Sequence, residues 1–122
     1  MDRERFERLV EDALAEIPEP FQSHLGNVEV VIEDEPSAEL LREMGMHPRY
    51  DTLFGLYQGV PLSERGALYG NALPDRITIF YRPLIRAFGN PVALRREIRR
   101  TVIHEIGHYF GLDDDQIEEE GY

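Results

Sequence analysis

Hydrophobic and polar residues follow one another in patterns that predict both helices and strands. Near the start, apolar residues recur every three or four positions over residues 2–17, which predicts a first helix. Pro18 and Pro20 end this pattern. We expect the apolar face of the helix to back a sheet, and we expect residues 21–27, which include His24, to form a connection.

Short runs of β-branched and aromatic residues predict the strands of that sheet. They cover residues 28–32, 53–60 and 76–81, and turn-forming residues bound them. Residues 63–71 are ambiguous, because two glycines flank a short apolar run that suits either an edge strand or an ordered loop.

Two short helices are predicted between and after the strands. Ser37 can cap the first, which runs through Met44, and Gly45 can close it. Residues 82–88 form the second.

The longest helix is predicted over residues 91–110. Asn90 is a good N-cap residue and Pro91 suits the first helical position. Gly111 is a natural C-cap in the left-handed conformation. One apolar face runs along this helix, because apolar residues recur every fourth position: Leu94, Ile98, Val102, Ile106 and Phe110.

The order of these elements predicts one α+β domain over residues 1–122. We expect a small, twisted, mixed sheet packed against the first helix and the helix at residues 91–110. A chain of 122 residues suffices for a single modest core.

Charge and composition exclude several classes of partner and site. The formal net charge of −11 disfavours binding to nucleic acids or anionic membranes, because both require a basic surface. Cysteine is absent, which excludes disulfides and cysteine-type zinc sites. No stretch approaches the roughly 18 apolar residues of a membrane span. Residues 1–17 read as a charged amphipathic helix rather than a signal peptide, so we expect a cytoplasmic protein.

Arginines are frequent between residues 82 and 100, which raises the alternative of a basic groove for nucleic acid. Their scatter around the long helix favours the simpler interpretation, in which they balance neighbouring acids. We therefore expect no nucleic-acid partner.

The candidate chemistry lies near the end of the long helix, in the sequence H-E-I-G-H at residues 104–108. His104 and His108 lie about 40° apart around a helix, so both imidazoles can reach one ion. They also fall nearly opposite the middle of the apolar face. Glu105 follows the first histidine, where it can take a proton from a metal-activated water. Histidine ligands suit several divalent metals, of which we favour Zn²⁺.

A third ligand is needed for a catalytic zinc site, and the turn at Gly111 can return the chain to the metal. We favour Asp114, three residues after this glycine. Asp113 can instead cap a final helix with Gln116 as its capping-box partner, which would leave Asp114 as an acid of the first turn. The alternative third ligands are Asp113, Asp115, His24 and His47.

The pattern H-E-x-x-H-x-x-G-x-x-D resembles the metzincin-type zincins, whose third ligand is usually histidine and in some members aspartate. More closely, the chain resembles the minimal zincins, a family of small bacterial zinc metallopeptidases. Four stretches carry this resemblance, and together they extend over nearly the whole chain: V-V-I-E-D-E-P at 30–36, G-L-Y-Q-G-V-P-L at 55–62, L-P-D-R-I-T at 73–78 and R-R-T-V-I-H-E-I-G-H at 99–108.

This resemblance implies a zincin-like fold with His104, His108 and Asp114 as metal ligands and Glu105 as the general base. It also implies that a strand at the rim of the sheet pairs with extended substrate. Our choice for this rim is residues 66–71, with Tyr69 as a substrate contact. The larger metzincins place a methionine-bearing turn after the third ligand, whereas the methionines here all precede the long helix.

The leading hypothesis is a zinc-dependent metallopeptidase that acts on a peptide or protein substrate. One alternative is a zincin-shaped binding or regulatory module with little or no catalysis, which the missing methionine turn favours. A second alternative is a small zinc-dependent endoribonuclease. The acidic composition counts against it, and so do Glu105 beside the first ligand and the aspartate at the third position.

Overall fold

The computed structural model describes residues 1–59 and 75–119. The helices in these ranges are α1 (Arg3–Ala15), α2 (Phe21–His24), α3 (Ala38–Glu43), α4 (Tyr81–Ala87), α5 (Pro91–Tyr109) and α6 (Asp114–Glu119). The strands are β1 (Val28–Glu33), β2 (Gly55–Gln58) and β3 (Asp75–Phe80), and a 3-10 turn covers Leu25–Asn27. None of the helices within these ranges combines the length and the apolar composition that crossing a bilayer requires.

The described strands form a mixed sheet in the order β1–β3–β2. The middle strand, β3, is parallel to β1 and antiparallel to β2. Its residues Ile77 and Ile79 are fully buried, as expected for a strand with neighbours on both sides. Helix α5 packs against β2 and β3, so the sheet and the long helix share one core. The predicted α+β class and mixed sheet are confirmed.

Helix α1 packs along α5 and contributes to the same core. Asp2 caps it, since its carboxylate accepts a hydrogen bond from the Arg5 backbone N–H at 2.8 Å. Arg3 fixes its first turn by donating to the Asp34 carboxylate and, at 2.8 Å, to the Ile32 carbonyl at the end of β1. The shared core is made of buried apolar side chains that include Phe6, Val10, Ala13, Ile77, Ile79, Ile98, Val102 and Ile106.

The segment predicted as a connection, residues 21–27, is instead folded as α2 and the 3-10 turn. Gln22 explains its position, because its side-chain amide donates to the carbonyls of Leu14 at 2.9 Å and Ile17 at 3.1 Å. These bonds tie α2 to carbonyls in and just after the last turn of α1. A helix of four residues is too short to show a hydrophobic period, so the pattern could not reveal it.

Apart from β2, the other boundaries follow the predictions closely. Ser37 caps α3 by accepting a hydrogen bond from the Leu40 N–H at 3.0 Å, and Gly45 takes a φ of 76° after the helix. Strand β2 is shorter than the predicted residues 53–60, and Gly59 follows it with a φ of 153°. The ambiguous residues 63–71 lie outside the described residues.

Several of the arginines between residues 82 and 100 balance acidic side chains. Arg95 and Arg99 of α5 lie 3.6 and 3.3 Å from the Glu16 carboxylate, and Arg86 lies 2.6 Å from that of Glu35. These pairs support the interpretation of the arginines as partners of neighbouring acids.

Candidate metal centre

The candidate site is built on the face of α5 opposite the core. The Asn90 side chain caps the helix by accepting a hydrogen bond from the Ala93 N–H at 2.8 Å. The predicted apolar face is buried, at Leu94, Ile98, Val102 and Ile106. His104 and His108 consequently stand on the exposed side, where their side chains are half-buried and their rings are 5.1 Å apart.

The end of α5 is closed by a Schellman motif. Gly111 adopts a φ of 89°, its N–H donates to the His108 carbonyl at 2.9 Å, and the Leu112 N–H donates to the Gly107 carbonyl at 3.0 Å. The predicted glycine C-cap is thus observed. It reverses the chain immediately beyond the second histidine.

This reversal also orients the His108 ring. Nδ1 of His108 lies 2.9 Å from the Leu112 carbonyl oxygen. A carbonyl can only accept a hydrogen bond, so Nδ1 carries a proton, and in the neutral ring Nε2 keeps its lone pair. An imidazole held in this way is prepared to ligate a metal through Nε2.

The segment after Gly111 forms the capping box that the sequence predicts. Asp113 and Gln116 form a reciprocal capping box. The Asp113 N–H donates to Gln116 Oε1, and the Gln116 N–H donates to Asp113 Oδ1, both at 2.8 Å. Asp114 is then the first residue of α6. The cap directs its carboxylate back towards α5.

Asp114 reaches both histidines. Its Oδ1 lies 2.9 Å from Nε2 of His104 and 3.1 Å from Nε2 of His108. Ligand atoms about 2.0–2.1 Å from one tetrahedral zinc ion lie about 3.3 Å apart, close to these separations. Two imidazole nitrogens and one carboxylate oxygen are also a donor set that zinc accepts in catalytic sites. The three residues therefore fit a zinc ion.

Glu105 lies beside this group, and its ligand atom is within 4.8 Å of those of His104 and His108. We favour Asp114 over Glu105 as the third member, because the Asp114 oxygen lies within 3.1 Å of both imidazole nitrogens and Glu105 is engaged elsewhere. The Glu105 side chain is buried, with 9 % exposed, and its Oε1 accepts a hydrogen bond from the Tyr57 N–H of β2 at 2.8 Å.

Burial determines the basicity of Glu105. Desolvation raises the pKa of its carboxyl group, while the nearby His108 and His104 and the hydrogen bond from Tyr57 act in the opposite direction. The raised pKa makes this carboxylate a better proton acceptor than an exposed glutamate.

Two cavities flank Glu105. A cavity of about 710 Å³ runs along β2 and has the apolar side chains Met44, Met46, Leu53, Leu56 and Leu112 in its wall. A second, of about 380 Å³, lies on the other side and is more polar, with Glu97, Arg100, Thr101 and Glu118. Gly55, His104 and Glu105 line both cavities. In the described residues, an open cleft therefore lies between β2 and the two histidines.

The remaining candidate ligands lie in other environments. His24 packs its ring against Phe110, 4.7 Å away. His47 stacks on Tyr50, and its Nδ1 accepts a hydrogen bond from the Arg49 N–H at 3.1 Å. Of the other acids, Asp113 serves as the cap of α6, and Asp115 is exposed, as Asp114 is. Tyr69 and the predicted rim at residues 66–71 lie outside the described residues and stay predictions.

Sequence reasoning missed two backbone groups that touch the site. The Tyr57 N–H and the Leu112 carbonyl carry no residue-specific signal, and each meets its partner only in the folded chain. The Leu112 contact could have been inferred from the Schellman motif, because Gly111 fixes the path of the following residue.

Comparison with known proteins gives one family. A profile of the family described as Zincin-like metallopeptidase matches residues 25–122. This match confirms the resemblance that the sequence motifs indicated. No curated protein matches the chain.

Proposed function

The chain belongs to the zincin-like metallopeptidase family, and we propose that it is a zinc-dependent peptidase that hydrolyses peptide bonds with Glu105 as the general base. The observation that carries this proposal is the convergence of one carboxylate oxygen on two imidazole nitrogens, 2.9 and 3.1 Å away, with a buried glutamate beside them.

His104, His108 and Asp114 would hold the metal. When bound, zinc would supply Lewis-acid polarisation of the substrate carbonyl and would lower the pKa of water in the site. The Leu112 carbonyl holds the His108 ring so that Nε2 faces the metal position. The Asp113–Gln116 capping box holds the start of α6, and with it the Asp114 carboxylate.

Glu105 would move the proton. Its carboxylate takes a proton from the water whose oxygen attacks the scissile carbonyl carbon, and it then gives that proton to the amide nitrogen as the C–N bond breaks. The bond from the Tyr57 N–H occupies Oε1 and so keeps the carboxylate oriented during both transfers.

The substrate would be an extended peptide that lies in the cleft along β2. Apolar side chains of Met44, Met46 and Leu53 line the larger cavity, and Met44 is 43 % exposed. An exposed apolar surface beside a catalytic site favours an apolar substrate side chain, because binding removes both surfaces from water. We therefore propose a preference for apolar residues next to the scissile bond.

Metal content is the first test. The purified protein should contain about one zinc ion per chain, as expected for a site with three protein ligands. This zinc should be lost in His108→Ala and retained in the matched control His47→Ala. Absence of zinc from the parent protein, after zinc is supplied, would refute the proposed site.

Peptide cleavage is the second test, with peptides that carry apolar or charged side chains. Glu105→Gln should keep zinc and lose hydrolysis, whereas the control Glu43→Gln should retain both. Stoichiometric zinc without hydrolysis of any peptide would favour the binding or regulatory module. Cleavage of RNA would favour the endoribonuclease.

A further inference from the structure

Gly107 lies in α5 one residue before His108, where α6 passes close to the helix. A methyl group at this position would lie 2.6 and 2.7 Å from Cγ1 and Cδ1 of Ile117. Ile117 is only 2 % exposed, so it has little room to retreat. Alanine is the better helix former, and α5 alone would favour it over glycine. Glycine is favoured here because, without a side chain, it lets α6 approach α5 closely.

The position of α6 determines the position of Asp114. Asp114 and Ile117 are three residues apart on the same short helix, so they share one face and move together. A side chain at residue 107 would push Ile117 away from α5. It would thereby draw the Asp114 carboxylate away from His104 and His108.

Gly55 has the equivalent role on another side of α5. It is the first residue of β2, and a methyl group there would lie 2.5 Å from Cγ2 of Thr101 and 3.2 Å from the carbonyl oxygen of Thr78. Thr101 belongs to α5 and Thr78 to β3. Strand β2 therefore reaches its place between the helix and the middle strand only without a side chain at this point.

The position of β2 determines the hydrogen bond to Glu105. Tyr57 stands two residues after Gly55 on this strand, and its N–H donates to Glu105 Oε1 at 2.8 Å. Displacement of β2 from α5 would lengthen this bond. The Glu105 carboxylate would then lose the contact that orients it.

We propose that Gly107 and Gly55 are positioning residues with separate tasks: Gly107 sets the third metal ligand through α6, and Gly55 sets the general base through β2. The inference rests on the proposed function for the roles of Asp114 and Glu105. It separates two properties of the site, because metal affinity depends on Gly107 and orientation of the base depends on Gly55.

The test uses Gly107→Ala and Gly55→Ala in the full-length protein. The matched controls are Gly26→Ala and Gly89→Ala, because a methyl group at either position meets nothing within 4 Å. Three quantities are measured: the zinc dissociation constant by competition with a chelator, the amide signal of Tyr57 in a ¹⁵N–¹H spectrum, and kcat on a cleaved peptide. Glu105→Ala gives the amide signal in the absence of the hydrogen bond.

Gly107→Ala should weaken zinc binding by about tenfold or more, comparable to the loss of a supporting group around a metal. It should leave the Tyr57 amide signal near its original position. Gly55→Ala should move that signal towards its position in Glu105→Ala and lower kcat by about 10- to 100-fold. Its zinc affinity should stay at the level of the control variants.

Removal of the opposing group should restore each property. Thr101→Ser lacks the Cγ2 methyl group and should rescue Gly55→Ala in part, because the contact with the Thr78 carbonyl oxygen remains. In a protein that already carries Ile117→Ala, the further change Gly107→Ala should leave zinc affinity unchanged. If a glycine variant alone does not fold, the double variant that also lacks the opposing group is measured in its place. The inference is overturned if the glycine variants have the zinc affinity, Tyr57 signal and kcat of the controls. It is also overturned if each variant changes both zinc affinity and the Tyr57 signal, or if neither second substitution restores the lost property.

Failure of the inference and failure of the proposed function are distinguishable. Zinc affinity and the Tyr57 signal require no turnover, so both can be measured in a protein that cleaves no peptide. A parent protein without hydrolysis would refute the peptidase proposal. The glycine variants would still confirm or refute the positioning roles.

Discussion

At the scale of single residues, His108 shows how a helix end orients an imidazole ring. The ring is held by the carbonyl of Leu112, and the glycine that ends the helix puts this carbonyl within 2.9 Å of Nδ1. The sequence motif predicted the histidines because their spacing reflects the local period of a helix. It could not predict the carbonyl, since a backbone group has no identity of its own in the sequence.

Asp114 gives the first prediction at this scale. Its Oδ1 lies close to both histidines, so Asp114→Ala should weaken zinc binding by more than the roughly 10- to 100-fold that accompanies loss of a supporting group. Asp115→Ala is the matched control, because this neighbour is also an exposed acid in the first turn of α6. Equal zinc affinities of the two variants, measured by chelator competition, would contradict the assignment of Asp114.

At the scale of elements, the N-cap of α6 should affect both the stability of the protein and its affinity for zinc. Asp113→Ala removes the N-cap of α6 and should cost about 1 kcal/mol of stability. It should also weaken zinc binding, because the start of α6 carries Asp114. Ser37→Ala removes the N-cap of α3 and should cost a similar free energy without a change in zinc affinity. Urea denaturation and zinc titration of both variants check this, and a similar loss of zinc affinity in both would contradict it.

The buried face of α5 gives a second prediction for an element. Ile98 is fully buried in the core that α1, the sheet and α5 share, so Ile98→Ala should lower the free energy of unfolding by about 2–5 kcal/mol. Val92 lies in the first turn of the same helix and is 70 % exposed, so Val92→Ala should change it by less than about 0.5 kcal/mol. Urea denaturation measures both, and similar losses would show that this face is not the core.

The elements predicted from the sequence are those whose signals are local. The helix at Pro91–Tyr109 was predicted within one residue because its cap and its apolar period lie within the helix itself. The order of the strands was not predicted, because the pairing of β1 with β3 joins residues more than 40 positions apart. The same distance hid the hydrogen bond between Tyr57 and Glu105. The zincin-like fold was inferred from sequence motifs, whereas its long-range contacts could be identified only in the structure.

At the scale of the whole molecule, the formal net charge of −11 should influence which peptides reach the cleft. A negative surface attracts cationic substrates over several ångströms, and salt screens this attraction. At low ionic strength, kcat/KM should therefore be higher for a peptide with basic flanking residues than for an otherwise identical peptide with acidic ones. The difference should shrink as salt is added. Equal values for the two peptides at low salt would contradict this steering.

The candidate ligands come from two helices, α5 and α6, that a sharp reversal separates. An ion held by both would act as a reversible cross-link, present in the folded chain and absent from the unfolded one. Mass action then makes resistance to heat a function of free zinc: at one hundred times the dissociation constant, binding adds about 2.7 kcal/mol. For a domain of this size, that corresponds to roughly 10 °C in melting temperature. The thermal stability of this protein would thus report the zinc supply of its surroundings.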